Sequence, residues 1–417
     1  MYVWGKNAGT GMVFRRKYSL TIFIFVGFFL GIIAGLVIGE PATPFTDTLA
    51  DIFLRLLKMV IIPLVITSII SSVIQVGSAH GLGRIGLRTF IYYICTSLLA
   101  IFTGQLLVNL FKPGVGADIG LEANPETIAA VERGLGEILL NIIPENPIAA
   151  AASGDVLPII FFSILFGYFV TRIGADHRKL ISGFFEAAFE AMLKMTSLII
   201  WVAPIGVFGI ITSIVAKTGF AAFKPLGFYF IIVLAGLAVH MFLTLPLLLY
   251  FLGKVSPVKH FRGMVSALIT AFSTCSTIVT LPLTMKAVTE VSGASKRAAG
   301  FVLPIGATMN MDGTALYECV ATIFIAQVYG FDLTFGAQMT IAVTAVLASI
   351  GAASIPMSGL VMMSIILGAV GLPLEGVVVI LAVDRILDMF RTTVNVFSDS
   401  CGAVIISRME NLSEGVK

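Results

Sequence analysis

Apolar stretches long enough to cross a bilayer recur through the first part of the chain, at 18–39, 48–75, 86–111, 136–171, 181–214 and 221–252. About 20 apolar residues at 1.5 Å per residue match the hydrocarbon thickness, so each stretch predicts a membrane-spanning helix. The pattern then changes. Segments 258–292 and 334–373 are apolar but broken midway, at 273–277 and 351–359, by small and polar residues that include Pro356. Residues 334–373 carry no charge, yet their centre is too rich in glycine, proline and serine for one continuous helix, so two half-helices meeting at a tip are expected. Each broken segment is followed by an apolar span bearing polar groups, 296–330 and 376–407. A broken pair followed by a polar span, occurring twice, is the pattern of a transporter built from inverted repeats with its site near mid-membrane. The expected fold is an all-α polytopic membrane protein with eight transmembrane helices, two re-entrant helical hairpins and its working half at the C-terminal side.

The last span concentrates the charge. Asp384, Asp388, Arg391, Asn395 and Asp399 step by four, three, four and four residues. At about 100° per residue they form one stripe on a helix whose other faces carry valine, isoleucine and leucine. That stripe cannot face lipid, because each charge at the bilayer centre costs roughly 2.5–3.5 kcal/mol unless a partner or water meets it. Both signs are present, so the matching cargo is zwitterionic with an additional anion. Arg391 offers a planar fork for a carboxylate, Asp388 can accept from an ammonium, and Thr392 and Asn395 add neutral hydrogen bonds. The competing reading is that Asp388 and Arg391, three residues apart, only pair with each other.

Composition agrees with a membrane protein: hydrophobic residues make up 58% and charged residues 12%, against about 25% charge in soluble domains, and the mean hydropathy is +1.03. No cleavable signal pattern precedes the first span, so the N-terminus is expected in the cytoplasm. A net charge of +3 with no basic tract gives no reason to expect nucleic acid. Basic residues at one set of helix ends (Arg15, Arg16, Lys17; Arg84, Arg88; Arg172, Arg178, Lys179; Lys254, Lys259, Arg262) mark the cytoplasmic side. Connections carrying Glu40, Asp47, Asp118 and Glu126 face outward. Cys95, Cys275, Cys319 and Cys401 fall in apolar segments without CxxC spacing and are expected to be small buried residues, not disulfides or metal ligands. Gly27, Gly31, Gly35 and Gly39 make a groove on the first span where another backbone can approach, in the protein or in a neighbouring subunit.

Within 296–330, Asn310-Met311-Asp312-Gly313-Thr314 follows Pro304, Gly306 and Thr308, and the helix is expected to break there. Exposed carbonyls with a carboxylate and hydroxyls form the oxygen-rich set that a dehydrated monovalent cation needs. A polar kink packed on a neighbour is the alternative. For Glu318 two readings stand: burial disfavours a lone carboxylate's charge, so it can carry a proton, or it is held by a fixed partner such as Arg385. Three buried aspartates also raise an intramembrane aspartyl protease, but two such carboxylates must share a proton, which Arg391 would oppose. The mixed-sign site argues against a channel.

Three motifs in this order, Asn310-Met311-Asp312-Gly313-Thr314, Gly351-Ala352-Ala353-Ser354-Ile355-Pro356 and Asp388-Met389-Phe390-Arg391-Thr392-Thr393-Val394-Asn395-Val396, resemble the glutamate/aspartate transporters, the dicarboxylate/amino acid:cation symporters. The resemblance covers nearly the whole chain. It implies a non-enzymatic symporter for aspartate or glutamate, with no cofactor, sodium ions as coupling ions and an elevator mechanism in a homotrimer. Residues 1–75 and 136–214 would form the scaffold, 84–112 and 221–407 the moving transport domain, and 408–417 a cytoplasmic tail. Both termini would lie on the cytoplasmic side of the inner (plasma) membrane. Asp388 would bind the amino group, Arg391 the side-chain carboxylate and Asn395 the main-chain carboxylate, with Thr314 and Thr392 assisting and Ser276, Thr277, Ile355 and Gly359 closing over the ligand. Sodium would be held by Gly306, Asn310, Asn395 and Asp399; by Tyr93, Thr96, Ser97, Asn310 and Asp312; and by Thr308, Ser349, Ile350 and Ala352. Glu318 matches the position used for proton coupling by excitatory amino acid transporters. The alternative within the family is a C4-dicarboxylate or neutral amino acid carrier, whose members lack the counterparts of Asp388 or Arg391. This chain departs from the usual first-tip serine run with Thr274-Cys275-Ser276-Thr277-Ile278, and its second arginine, Arg385, lies one turn before Asp388.

Overall fold

A computed structural model describes residues 9–78, 83–117, 140, 143–219, 223–352 and 358–414, and within these the regular structure is helical with no strand. The helices are Gly9–Val37 (α1), Thr43–Ser78 (α2), Gly83–Phe111 (α3), Pro147–Ser153 (α4), Val156–Val170 (α5), Ala175–Ile200 (α6) and Ala203–Thr218 (α7). Next comes Phe223–Gly253 (α8), in which His240–Thr244 and Leu249–Gly253 are π-helical. Pro257–Thr274 (α9), Thr277–Glu290 (α10), Lys296–Met309 (α11), Asp312–Val328 (α12), Phe335–Ala352 (α13), Ser358–Ala369 (α14) and Gly376–Glu414 (α15) complete the chain.

Among the described residues, Glu40–Ile74, Ile85–Phe111 and Phe223–Gly253 are long and apolar enough to cross a bilayer. A fourth span forms if Ala175–Ile200 and Ala203–Lys217 act together, although they bend by 46°. The sequence pattern predicts one helix over 181–214. Trp201 and Val202 intervene instead, and Pro204, without an N–H to donate, sits in the first turn of α7. The predicted span at 136–171 is likewise divided: α4 ends at Gly154, whose φ of 82° is a left-handed conformation that suits glycine. Two of the expected breaks in the second half appear where the sequence placed them. Cys275 closes α9 with φ 48°, and Ser276 caps α10 by accepting from Val279 N–H. Asn310 and Met311 are non-helical between α11 and α12. The second tip's residues 353–357, including Ile355, lie outside the described residues.

Packing sorts the helices into two groups. α1 and α2 pack on α7, and α2 also packs on α5 and α6. The glycine groove on α1 is filled from within the chain: a Cβ at Gly31 would lie 2.9 Å from Phe208 O, and one at Gly35 would lie 2.8 Å from Thr212 O. At Gly39 nothing is within 4 Å. In the second group α12 is central, packed on α3, α8, α13, α14 and α15, with every residue from Asp312 to Ala326 buried. α9 and α10 pack along each other and on α15, and α13 packs on α14. A helix buried on all sides tolerates polar residues only where other helices supply partners. This places the polar residues of α12 against the stripe on α15.

The cysteines depart in part from expectation. Cys319 and Cys401 are buried, but Cys275 is half-buried and Cys95 exposed, because the latter faces outward on α3. None of the four is in a disulfide among the described residues.

Candidate functional site

The break between α11 and α12 brings two polar clusters together. With Asn310 extended and Met311 non-helical, α12 starts at Asp312, and its first-turn N–H groups have no helical carbonyl four residues back. One of them, Gly313 N–H, donates to Asn395 Oδ1 on α15 at 2.8 Å, and Asn395 Nδ2 donates to Thr314 Oγ1 at 3.2 Å. Asn395 therefore ties the broken helix to the charged stripe.

The first cluster surrounds Arg391. Its guanidinium is 2% exposed, stands 3.9 Å above the ring of Tyr317, and donates through Nη2 to Asp388 Oδ1 at 3.2 Å. Nη2 also lies 3.0 Å from Asp384 Oδ1, a charge contact not aligned as a hydrogen bond. Asp388 is 25% exposed and receives a second arginine, with Arg385 Nη1 donating to its Oδ2 at 3.2 Å. Arg385 therefore does not pair with Glu318, the partner the sequence offered as one alternative. Its position three residues from Asp388 on the same helix brings them together. The pairing of Asp388 with Arg391 is present, but it leaves most of the fork unused: among the described residues Arg391 Nε and Nη1 have no hydrogen-bond partner. Thr392 is buried beside them. Gly359, at the start of α14, lies over this group, since a Cβ there would come 2.6 Å from Arg391 Nη1 and 3.2 Å from Asp384 Oδ1. Buried donors left unpaired cost about 1–3 kcal/mol each, so acceptor oxygens placed here would be stabilised.

The second cluster surrounds Asp312 and Asp399, both buried. Ser97 Oγ donates to Asp312 Oδ1 at 2.7 Å, with Thr96 Oγ1 at 3.3 Å; Ser398 Oγ donates to Oδ2 at 2.5 Å, and His240 Nε2 lies 3.2 Å from the same oxygen. Asn310 Nδ2 donates to Asp399 Oδ1 at 2.9 Å and to Ser398 Oγ at 3.1 Å, while Asn310 Oδ1 has no partner among the described residues. Tyr93 donates to Val302 O at 2.7 Å, and a Cβ at Gly306 would meet Asp399 Oδ1 and stand 2.5 Å from that tyrosine oxygen. Two carboxylates with surrounding hydroxyls and a spare amide oxygen form an oxygen-rich nest suited to a small cation.

Other residues singled out by sequence stand apart. Thr308 and Ser349 bond back to carbonyls of their own helices, although Ser349 lines a small cavity with Tyr93, Ser97 and Met309. Ile350 and Ala352 end α13, and their side chains are not described. Ser276 caps α10, and Thr277 donates to Ala307 O at 2.9 Å on the neighbouring α11. Glu318, 0% exposed, has no hydrogen-bond partner on either oxygen among the described residues. Sequence reasoning assigned nothing to Tyr317, Ser398 or His240. The histidine had one signal: an imidazole in the apolar run 221–252.

Such a chain, all-helical and apolar with ionic groups gathered in its interior, is a membrane transporter. A sequence profile of the Sodium:dicarboxylate symporter family matches residues 20–409, and the chain belongs to that family. Its members are secondary transporters and not enzymes. The chain is 36% identical to the proton/sodium-glutamate symport protein of Bacillus subtilis (strain 168) over 412 residues, 97% of this chain and 95% of the relative. It is 37% identical to the protein of the same description from Geobacillus stearothermophilus, over 95% of each chain. It is 35% identical to excitatory amino acid transporter 3 of Mus musculus, over 97% of this chain and 88% of that protein.

Proposed function

We propose that this protein is a symporter that carries aspartate or glutamate, driven by sodium and protons, in the plasma membrane. One observation carries the choice of substrate: a buried arginine whose Nε and Nη1 have no hydrogen-bond partner among the described residues stands one turn from an aspartate that is 25% exposed. An acidic amino acid matches both, with its side-chain carboxylate on Arg391, its ammonium on Asp388 and its main-chain carboxylate near Asn395, Thr392 and Thr314. The relatives' names, glutamate symporters driven by protons and sodium, support the reading. Ser276, Thr277, Ile355 and Gly359 would complete the enclosure.

Sodium would be bound by the nest of Tyr93, Thr96, Ser97, Asn310 and Asp312, by Gly306, Asn310, Asn395 and Asp399, and by Thr308, Ser349, Ile350 and Ala352. Glu318 would carry the proton, because an ionised carboxylate without donors is costly to bury. The eight spans and two re-entrant hairpins, α9 with α10 and α13 with α14, belong to this proposal. So does the elevator: the group around α12 and α15 would move against α1, α2 and α5–α7, in a homotrimer with cytoplasmic termini.

The test is uptake of labelled aspartate into liposomes containing the purified protein, with sodium and pH gradients imposed separately. Inhibition by aspartate and glutamate but not by succinate or serine is expected. Inhibition by succinate would make it a C4-dicarboxylate carrier, and by serine a neutral amino acid carrier.

A further inference from the structure

His240 is buried, and its polar contact lies in the cation nest rather than in the substrate cluster. It stands where α8 passes from α to π geometry, at the first residue of His240–Thr244. A π turn admits an extra residue and re-aims side chains, and such turns are frequent at functional sites. Here the imidazole points at Asp312, with Nε2 at 3.2 Å from Oδ2 and both side chains 0% exposed.

The contacts on the two oxygens of Asp312 differ in kind. On Oδ1 they are the hydroxyls of Ser97 and Thr96. A hydroxyl both donates and accepts, so it can turn from the carboxylate and present a lone pair to a cation without moving the backbone. On Oδ2 they are Ser398 and His240. The Ser398 hydroxyl is committed, because Asn310 Nδ2 donates to it while it donates to Asp312. The imidazole, with its hydrogen on Nε2, can only donate there, and Nδ1 has no partner among the described residues. We infer that His240 is a positioning residue for sodium: with Ser398 it holds Oδ2, fixes the plane of the Asp312 carboxylate, and leaves Oδ1 as the oxygen offered to the ion between Ser97, Thr96 and Asn310 Oδ1. Outer partners of this type set metal affinity by orienting the ligand that touches the ion.

This rests on the reading of the Asp312 cluster as a sodium site, and the experiment separates the two. Purified protein is titrated with sodium, following the thermal unfolding midpoint, which rises as an ion binds the folded state, and in parallel the sodium dependence of aspartate uptake in liposomes. His240→Phe keeps a ring but removes the donor. Its sodium midpoint should rise about tenfold in both assays, while maximal uptake at saturating sodium falls far less. His240→Gln, whose amide N–H can replace Nε2–H, should recover most of the shift. If His240→Phe does not fold, His240→Asn, whose amide falls short of Oδ2, carries the same expectation. A sodium midpoint that stays at the wild-type value, or a loss of maximal rate without a shift in it, overturns the inference. Asp312→Asn in the same titrations tests the underlying site: no shift there removes the sodium reading itself, whereas a shift there with none for the His240 variants removes only the role of the histidine.

Discussion

The Arg391 cluster and the Asp312 cluster share α12 and α15 and are joined by Asn395, yet among the described residues they differ in the atoms left unpaired. Around Arg391 they are two donors, the guanidinium Nε and Nη1, beside one acceptor, Asp384 Oδ1, that meets the guanidinium only as a charge contact. In the Asp312 cluster the side-chain oxygen without a partner among the described residues is Asn310 Oδ1, an acceptor, with two buried carboxylates close by. Exposure differs as well: Asp388 is 25% exposed, whereas Asp312 and His240 are sealed. Buried polar atoms are normally satisfied, so the sign of those that are not indicates what each place accommodates. Spare donors call for an anion, and spare oxygens call for a cation. Under the proposed function one break in a helix would serve both, because it frees N–H groups on one side and gathers oxygens on the other.

The largest effect should come from removing the donors. Arg391→Cys deletes a buried charge on which two aspartates depend, and loss of one partner of a buried pair costs about 2–5 kcal/mol. Aspartate affinity should fall at least ~100-fold, measured as inhibition of labelled uptake, with the protein still eluting as a folded species. Unaltered aspartate affinity would end the assignment of the anion to this cluster. Next in size, Asp312→Asn should raise the sodium concentration for half-maximal uptake roughly 30-fold, about 2 kcal/mol. Aspartate affinity at saturating sodium should move much less. If both variants changed sodium and aspartate affinity equally, the distinction between the clusters would be lost.

Much of this arrangement could be read before the structure, for definable reasons. Asp384, Asp388, Arg391, Asn395 and Asp399 share a face because helical spacing alone dictates it. The break at Asn310 follows from Pro304 and from the local hydrogen bonding of asparagine and aspartate. The bend at Trp201 was hidden because bulky apolar residues continue through it. Partners across long separations were not legible either. Nothing in 221–252 says which way His240 points, since two π turns re-aim the helix, and the Tyr317 ring beneath Arg391 was one more aromatic in an apolar span. Arg385 illustrates the same limit: its neighbour Asp388 on the same helix met it, while Glu318 on α12 did not.

Smaller changes sharpen the comparison at its edges. Gly359→Ala would push a methyl group into Arg391 Nη1, and because the guanidinium is fixed over Tyr317 it can yield only by tilting out of line. Aspartate affinity should drop about tenfold, ~1.4 kcal/mol, with sodium dependence nearly intact. Glu318→Gln replaces a carboxyl group with a permanently uncharged amide at a place where neither oxygen has a partner among the described residues. Uptake driven by sodium at matched pH should persist within about fivefold, whereas the response to an imposed pH gradient should vanish, the isosteric amide being unable to exchange a proton. A preserved pH response would take the proton away from this residue.

The smallest effect is expected at Arg385. It meets Asp388 at 3.2 Å, but the pair is partly open, 20% and 25% exposed, and ion pairs reached by water are worth about 0–1 kcal/mol. In the proposed binding mode Arg385 would compete for the carboxylate that the substrate's ammonium needs, whereas Arg391 meets both Asp384 and Asp388 through Nη2. Arg385→Gln should therefore leave Arg391 in place and make Asp388 more available. Aspartate affinity is expected to rise, by no more than about threefold, and the gain should shrink at high ionic strength because the attraction it releases is screened. A loss of affinity instead would mean that Arg385 helps to hold the substrate, and the stripe on α15 would then present two cations to its cargo, not one.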